Sequence, residues 1–193
     1  MKISALFFLL FSTFNLFSQT VKIEIPDPSF RNFLLEYKGK GSPITPSDGN
    51  FLEVTDIGQI TELMMSGLKI SDAAGLEYFT ELTLLDLSQN ELKTISLKGL
   101  KKLRTLNLSG NSLTEIDLSE SPEISELHLD NNRLTKINLT MLTGLITLTI
   151  SSNDLGIIDL SQQLFLEEFD LTGNPGCPLI LTAIGQREPP TLS

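Results

Sequence analysis

The sequence predicts a solenoid: a stack of short coils whose parallel β-strands form one concave sheet, with an extended or turn-like convex side and a helical cap at the N-terminus. Three observations predict it. Leucine-type residues recur every 21 positions, at Leu82, Leu103, Ile124, Leu145 and Leu166. Asparagine recurs in the same step at Asn90, Asn111, Asn132, Asn153 and Asn174. About ten residues separate each Asn from the next coil's first leucine, and an extended I-x-L pair (Ile95 and Leu97, Ile116 and Leu118, Ile137 and Leu139, Ile158 and Leu160) takes up part of them. Too few remain for a helix of several turns on the convex side.

Residues 1–18 read as a signal peptide. Lys2 is followed by an apolar run from Ile3 to Phe17, interrupted by small or polar residues, and then by small Ser18. The run is shorter and more broken than the ~20 apolar residues a spanning helix needs. The expected location is therefore outside the cytoplasm: extracellular, on the cell surface or in a periplasm, with no membrane insertion after cleavage. Loss of Lys2 takes the formal charge from −10 to −11. So acidic a chain repels nucleic acid and anionic lipid, which excludes both as first readings.

Residues 19–59 read as the N-terminal cap. Asp27-Pro28 has the pattern of a helix N-cap followed by Pro at the first helical position. Phe30, Phe33, Leu34 and Tyr37 then share one face of a helix over about 28–37. Gly39 to Pro46, with its Gly and Pro breakers, reads as a loop. Asp48-Gly49-Asn50 lacks the spaced acids of a calcium loop and reads as a turn.

Residues 60–177 read as about six coils. Each follows L-x-x-L-x-L-x-x-N-x-L: Leu82, Leu85, Leu87, Asn90, Leu92; Leu103, Leu106, Leu108, Asn111, Leu113; Ile124, Leu127, Leu129, Asn132, Leu134; Leu145, Leu148, Ile150, Asn153, Leu155. A last coil has Leu166, Phe169, Leu171 and Asn174 and breaks at Pro175. A degenerate first coil has Ile60, Leu63, Met65 and Ile70, is one residue longer, and carries Leu68 where Asn is due. The L-x-L pair alternates inward and outward as a strand does. One coil cannot bury its apolar face, so coils stack. An inward Asn supplies donors and an acceptor for turn backbone that burial would otherwise leave unpaired. The five Asn are therefore read as a structural ladder.

This pattern resembles the leucine-rich repeat family over roughly residues 60–175. The entry segment Ile25-Pro26-Asp27-Pro28-Ser29-Phe30-Arg31 resembles that of small exported bacterial proteins of the internalin-like kind. The resemblance implies a module that recognises a protein.

Residues 178–193 read as a C-terminal cap, through Leu179, Ile180, Leu181 and Ile184, followed by a frayed tail. Cys177 has no partner for an internal disulfide and reads as a small apolar residue of that cap.

By register, three columns of side chains stand outward on the concave sheet. One is Glu62, Leu84, Thr105, Glu126, Thr147, Glu168; the next is Met64, Asp86, Asn107, His128, Thr149, Asp170; the third is Ser66, Ser88, Ser109, Asp130, Ser151, Thr172. Six of the eighteen are acidic and none is Lys, Arg or aromatic. A surface for a basic or hydrogen-bonding protein partner follows, with Met64, Leu84, Asp86, Asn107, Glu126, His128, Asp130, Thr149 and Asp170 as its candidate residues. The bland reading is a solvated sheet kept polar for solubility. Six strands at ~4.8 Å span roughly 24 Å, small beside ~800 Å² per partner, so a partner would also touch a rim.

Glu126, His128 and Asp130 share one face, and a carboxylate–imidazole–carboxylate set is a metal-ligand pattern. Their ~7 Å spacing along a flat strand is wide for one ion, so no metal is assigned. No nucleophile–base set, phosphate loop or metal motif is present in the sequence. The reading is a non-enzymatic binding module without cofactor; the alternative is a scaffold of the cell envelope or periplasm.

Overall fold

In the computed structural model, residues 20–41, 43–175 and 179–180 are described. The expected signal segment 1–18, Cys177 and residues 181–193 of the expected C-terminal cap lie outside them.

The strands in chain order are β1 (Thr20–Glu24), β2 (Ile44–Pro46), β3 (Phe51–Thr55), β4 (Glu62–Met64), β5 (Leu84–Asp86), β6 (Thr105–Asn107), β7 (Glu126–His128), β8 (Thr147–Thr149), β9 (Ile158–Asp159), β10 (Glu168–Asp170) and β11 (Leu179–Ile180). β4, β5, β6, β7, β8 and β10 form one six-stranded sheet in sequential order, every pair parallel. Leu63, Leu85, Leu106, Leu127, Leu148 and Phe169 meet in register as its inward row. The five leucines are fully buried, and Phe169 at the last coil is partly so. The chain is thus a parallel β-solenoid, with one hydrophobic core running from Ile23 to Leu160.

The Asn ladder joins neighbouring coils. Asn132 accepts from the Leu113 amide at 3.0 Å and donates to the carbonyls of Leu108 and Leu129 at 2.9 and 3.1 Å. Asn111, Asn153 and Asn174 repeat both moves one coil apart. Asn90 accepts from two amides, Leu68 at 3.1 Å and Ile70 at 2.9 Å. It thereby serves the first coil, which has Leu68 in place of its own Asn.

The residue before each ladder Asn turns left-handed: Gln89, Gly110, Asn131, Ser152 and Gly173 all have φ between 53 and 70°. On the convex side Leu97, Leu118, Leu139 and Leu160 are buried, Ile95, Ile116 and Ile137 are partly buried, and turns replace helices. A second periodic device appears there. Side-chain oxygens of Ser96, Asp117, Asn138 and Asp159 each accept from the amide two residues on.

The N-terminal region departs from the sequence reading. Helix α1 (Pro28–Glu36) forms and buries Phe30 and Leu34, but a three-stranded antiparallel sheet, in the order β1-β3-β2, surrounds it in sequence. The segment from Gly39 to Pro46, expected as a loop, contains β2, and Asp48-Gly49-Asn50 turns between β2 and β3. The physical reason is the alternation of Ile23 and Ile25 with that of Leu52 and Val54. Paired antiparallel, β1 and β3 bury Ile23, Leu52 and Val54, and Ile25, one residue past β1, is buried with them. Phe30 reaches the first coil, its ring centroid 6.3 Å from that of Phe79.

Candidate functional site

The strand registers place the candidate residues in rows across the sheet. Glu62 pairs with Leu84, Leu84 with Thr105, Thr105 with Glu126, Glu126 with Thr147, and Thr147 with Glu168. The same ladder aligns Met64, Asp86, Asn107, His128, Thr149 and Asp170. Asp130 lies two residues beyond His128, in the turn that leaves β7.

In β5, β6 and β10 the second-column side chain folds back on its own strand. Asp86 accepts from the Ser88 amide at 2.8 Å, Asn107 from Ser109 at 3.1 Å, and Asp170 from Thr172 at 2.8 Å. Each uses one oxygen this way, and among the described residues no hydrogen bond engages the second carboxylate oxygen of Asp86 or Asp170. His128 and Thr149 turn to each other across the strands. The Ser151 amide is taken instead by Asp130 of the preceding coil, at 2.8 Å.

Asp130 is the hub of the face. It also accepts from the Ser151 hydroxyl at 2.7 Å, the Ser109 hydroxyl at 3.4 Å and the Thr149 hydroxyl. Burial works against its charged form, but these donors outweigh burial and hold the carboxyl below the ordinary carboxylate range. Thr149 has one hydroxyl proton and gives it to Asp130. It must therefore accept from His128 Nδ1, which lies 3.0 Å away. A relay results: His128 Nδ1–H to Thr149 to Asp130. In a neutral ring of that tautomer, Nε2 is the acceptor.

The Glu126–His128–Asp130 set is pulled in three directions. Glu126 accepts from Thr105 on the coil before at 3.2 Å, His128 is engaged with Thr149, and Asp130 serves both flanking coils. Among the described residues no three His, Cys, Asp or Glu side chains group as a metal site.

Two features of this face escape sequence reasoning. Asp130 and Asp86 are the same residue type in outward columns, and only cross-strand neighbours 21 positions away distinguish the hub from the single turn. Tyr37, at the end of α1, comes close to Glu62: burial first, and the Glu62 charge second, push its phenol above the ordinary value. Its ring lies beside that of Phe33, 6.3 Å between centroids, and both are partly buried against the core. Basic side chains pair off the columns: Lys102 with Glu81 at 2.5 Å, Arg104 with Glu123 at 3.6 Å and Lys136 with Glu115 at 3.7 Å. All three pairs are solvent-exposed and contribute little to stability.

A family model described as leucine rich repeat matches residues 68–120. No curated protein shows a sequence match to the chain. Among solved structures the chain is similar to the functional domain of InlJ from Listeria monocytogenes, with 28% identity and a TM-score of 0.53 over 62% of this chain and 31% of that one. It is similar in fold to the leucine-rich repeat ectodomain of the receptor kinase SOBIR1 from Arabidopsis thaliana, with 24% identity and a TM-score of 0.57 over 75% and 86% of the two chains. It is likewise similar in fold to the internalin InlF of Listeria monocytogenes, with 22% identity and a TM-score of 0.53 over 78% and 57%. The chain spans about a third of the length of the InlJ domain.

Proposed function

We propose, from the premise that this is a leucine-rich repeat protein with an internalin-like fold, that it is an exported, non-catalytic module whose concave sheet binds a basic protein partner. Leucine-rich repeat domains commonly mediate protein–protein interaction. Export rests on the character of residues 1–18. Among the described residues no helix is long and apolar enough to cross a membrane.

One observation carries the reading. The outward columns combine free carboxylate oxygens at Asp86 and Asp170 with a pre-bonded lattice around Asp130. Acceptors already fixed in place lose little side-chain entropy on binding a cationic donor. An acidic face on a chain of net charge −10 also speeds encounter with a basic partner. The sequence has no nucleophile–base set and no phosphate loop, which disfavours catalysis.

The test is capture of surface proteins from the producing cells and their neighbours on immobilised chain. Wild type is compared with Asp86→Asn/Glu126→Gln/Asp170→Asn, which leaves the Asp130 hub intact. A partner recovered by wild type, weakened by added salt and lost with the triple variant is expected. Equal recovery by both overturns the reading.

A further inference from the structure

We propose that the corner of the concave sheet formed by Glu62, Met64, Leu84 and Asp86 seats one bulky apolar side chain of an extended peptide segment whose neighbouring residues are basic. This rests on the partner-binding reading above and assigns that reading an anchor point.

At the Leu84 position the other coils have Glu62, Thr105, Glu126, Thr147 and Glu168, and at the Met64 position they have Asp86, Asn107, His128, Thr149 and Asp170. Two apolar side chains therefore stand among polar ones, and they stand together, on adjacent strands. Met64 is 64% exposed, so the N-terminal region leaves it uncovered, and Leu84 is partly exposed. Neither belongs to the core, so folding does not explain them.

Their arrangement is a checkerboard. Glu62 pairs with Leu84 and Met64 with Asp86, so the carboxylates occupy one diagonal and the apolar groups the other. Strand spacing and rise make the patch ~5 by ~7 Å, the footprint of one side chain. Asp86 keeps an oxygen free beyond its bond to Ser88. An apolar centre with acids on both sides complements an apolar residue between basic ones.

The experiment pans a phage-displayed random dodecapeptide library on the immobilised full chain. Selected peptides are then measured against Met64→Asn/Leu84→Thr, which installs residues that the same columns carry in other coils, and against His128→Ala/Asp170→Asn at the far side. The corner variant should melt with wild type. Enriched peptides should hold Leu, Met, Phe or Ile beside Arg or Lys, and lose about tenfold or more in affinity on the corner variant. Peptides that keep their affinity there but lose it on the far-side variant overturn the corner and leave the concave face standing. Peptides unaffected by either variant, or no enrichment, overturn both.

Discussion

The Asp27 carboxylate reaches 44 positions along the chain to Ser71, accepting from its amide at 3.0 Å and its hydroxyl at 3.2 Å. That same oxygen accepts from the Asp72 amide at 3.2 Å, while the other caps α1 by accepting from Ser29 and Phe30 at 2.9 and 3.0 Å. One buried side chain thus ends the solitude of a helix N-terminus and fastens it to the turn of the first coil. Asp27→Asn keeps the size but loses one acceptor, and at least two amides go unpaired. A loss of roughly 2–3 kcal/mol is expected, with Asp27→Ala at least as severe, read as a lower urea midpoint at unchanged slope.

The pH dependence follows with a definite sign. Burial opposes ionisation of Asp27 and Asp130, but their donors outweigh it and hold both carboxyls below the ordinary range. Groups depressed in the folded state contribute stability above their unfolded value of about 3.9, and lose it as pH falls through the lower folded value. Urea midpoints should be flat from about pH 7 to pH 5 and fall below about pH 4. In Asp27→Asn the acid-side fall should be shallower, and an unchanged slope would show that Asp27 is not ionised in its place.

The ladder discriminates between chemically close substitutions. Asn132 uses its amide NH₂ toward the carbonyls of Leu108 and Leu129, so Asn132→Asp sets acceptor against acceptor within the core. Asn132→Asp should cost as much as Asn132→Ala or more, about 2–4 kcal/mol by thermal or urea melting. A near-neutral Asp would remove the ladder from the account of stability.

Ser152 sits at φ 54°, where Gly110 and Gly173 occupy the matching turns of other coils. A left-handed non-glycine residue costs about 1 kcal/mol, part of which glycine returns through the freer unfolded chain. Ser152→Gly should raise stability by about 0.5 kcal/mol, visible as a small rise in Tm.

His128 is the single histidine, so its ring nitrogens are observable without ambiguity. The relay through Thr149 requires the proton on Nδ1 of the neutral ring. Long-range nitrogen–proton NMR spectra should show that tautomer in wild type, and a shift toward the Nε2–H form in Thr149→Val. Wild type in the Nε2–H form would break the relay.

The coils were legible because their physics is periodic. A 21-residue step that repeats inward leucines forces strands into parallel register, since any slip would turn Leu106 or Leu127 out to water. The ladder was legible for the same reason, as a polar residue recurring in an apolar row. Less periodic elements were not: Ile44–Pro46 sits in a stretch of Gly and Pro that reads as loop, and pairs only because Val54 and Leu52 offer it an edge.

The 21-residue repeat specifies the stack, its inward rows and which residue types stand outward. What each outward residue bonds to comes from contacts across the coils. Asp130 became a hub because Ser109, Thr149 and Ser151 arrive beside it. Repetition along a chain specifies columns; hydrogen-bond direction and burial depend on neighbours that meet only after the coils have closed.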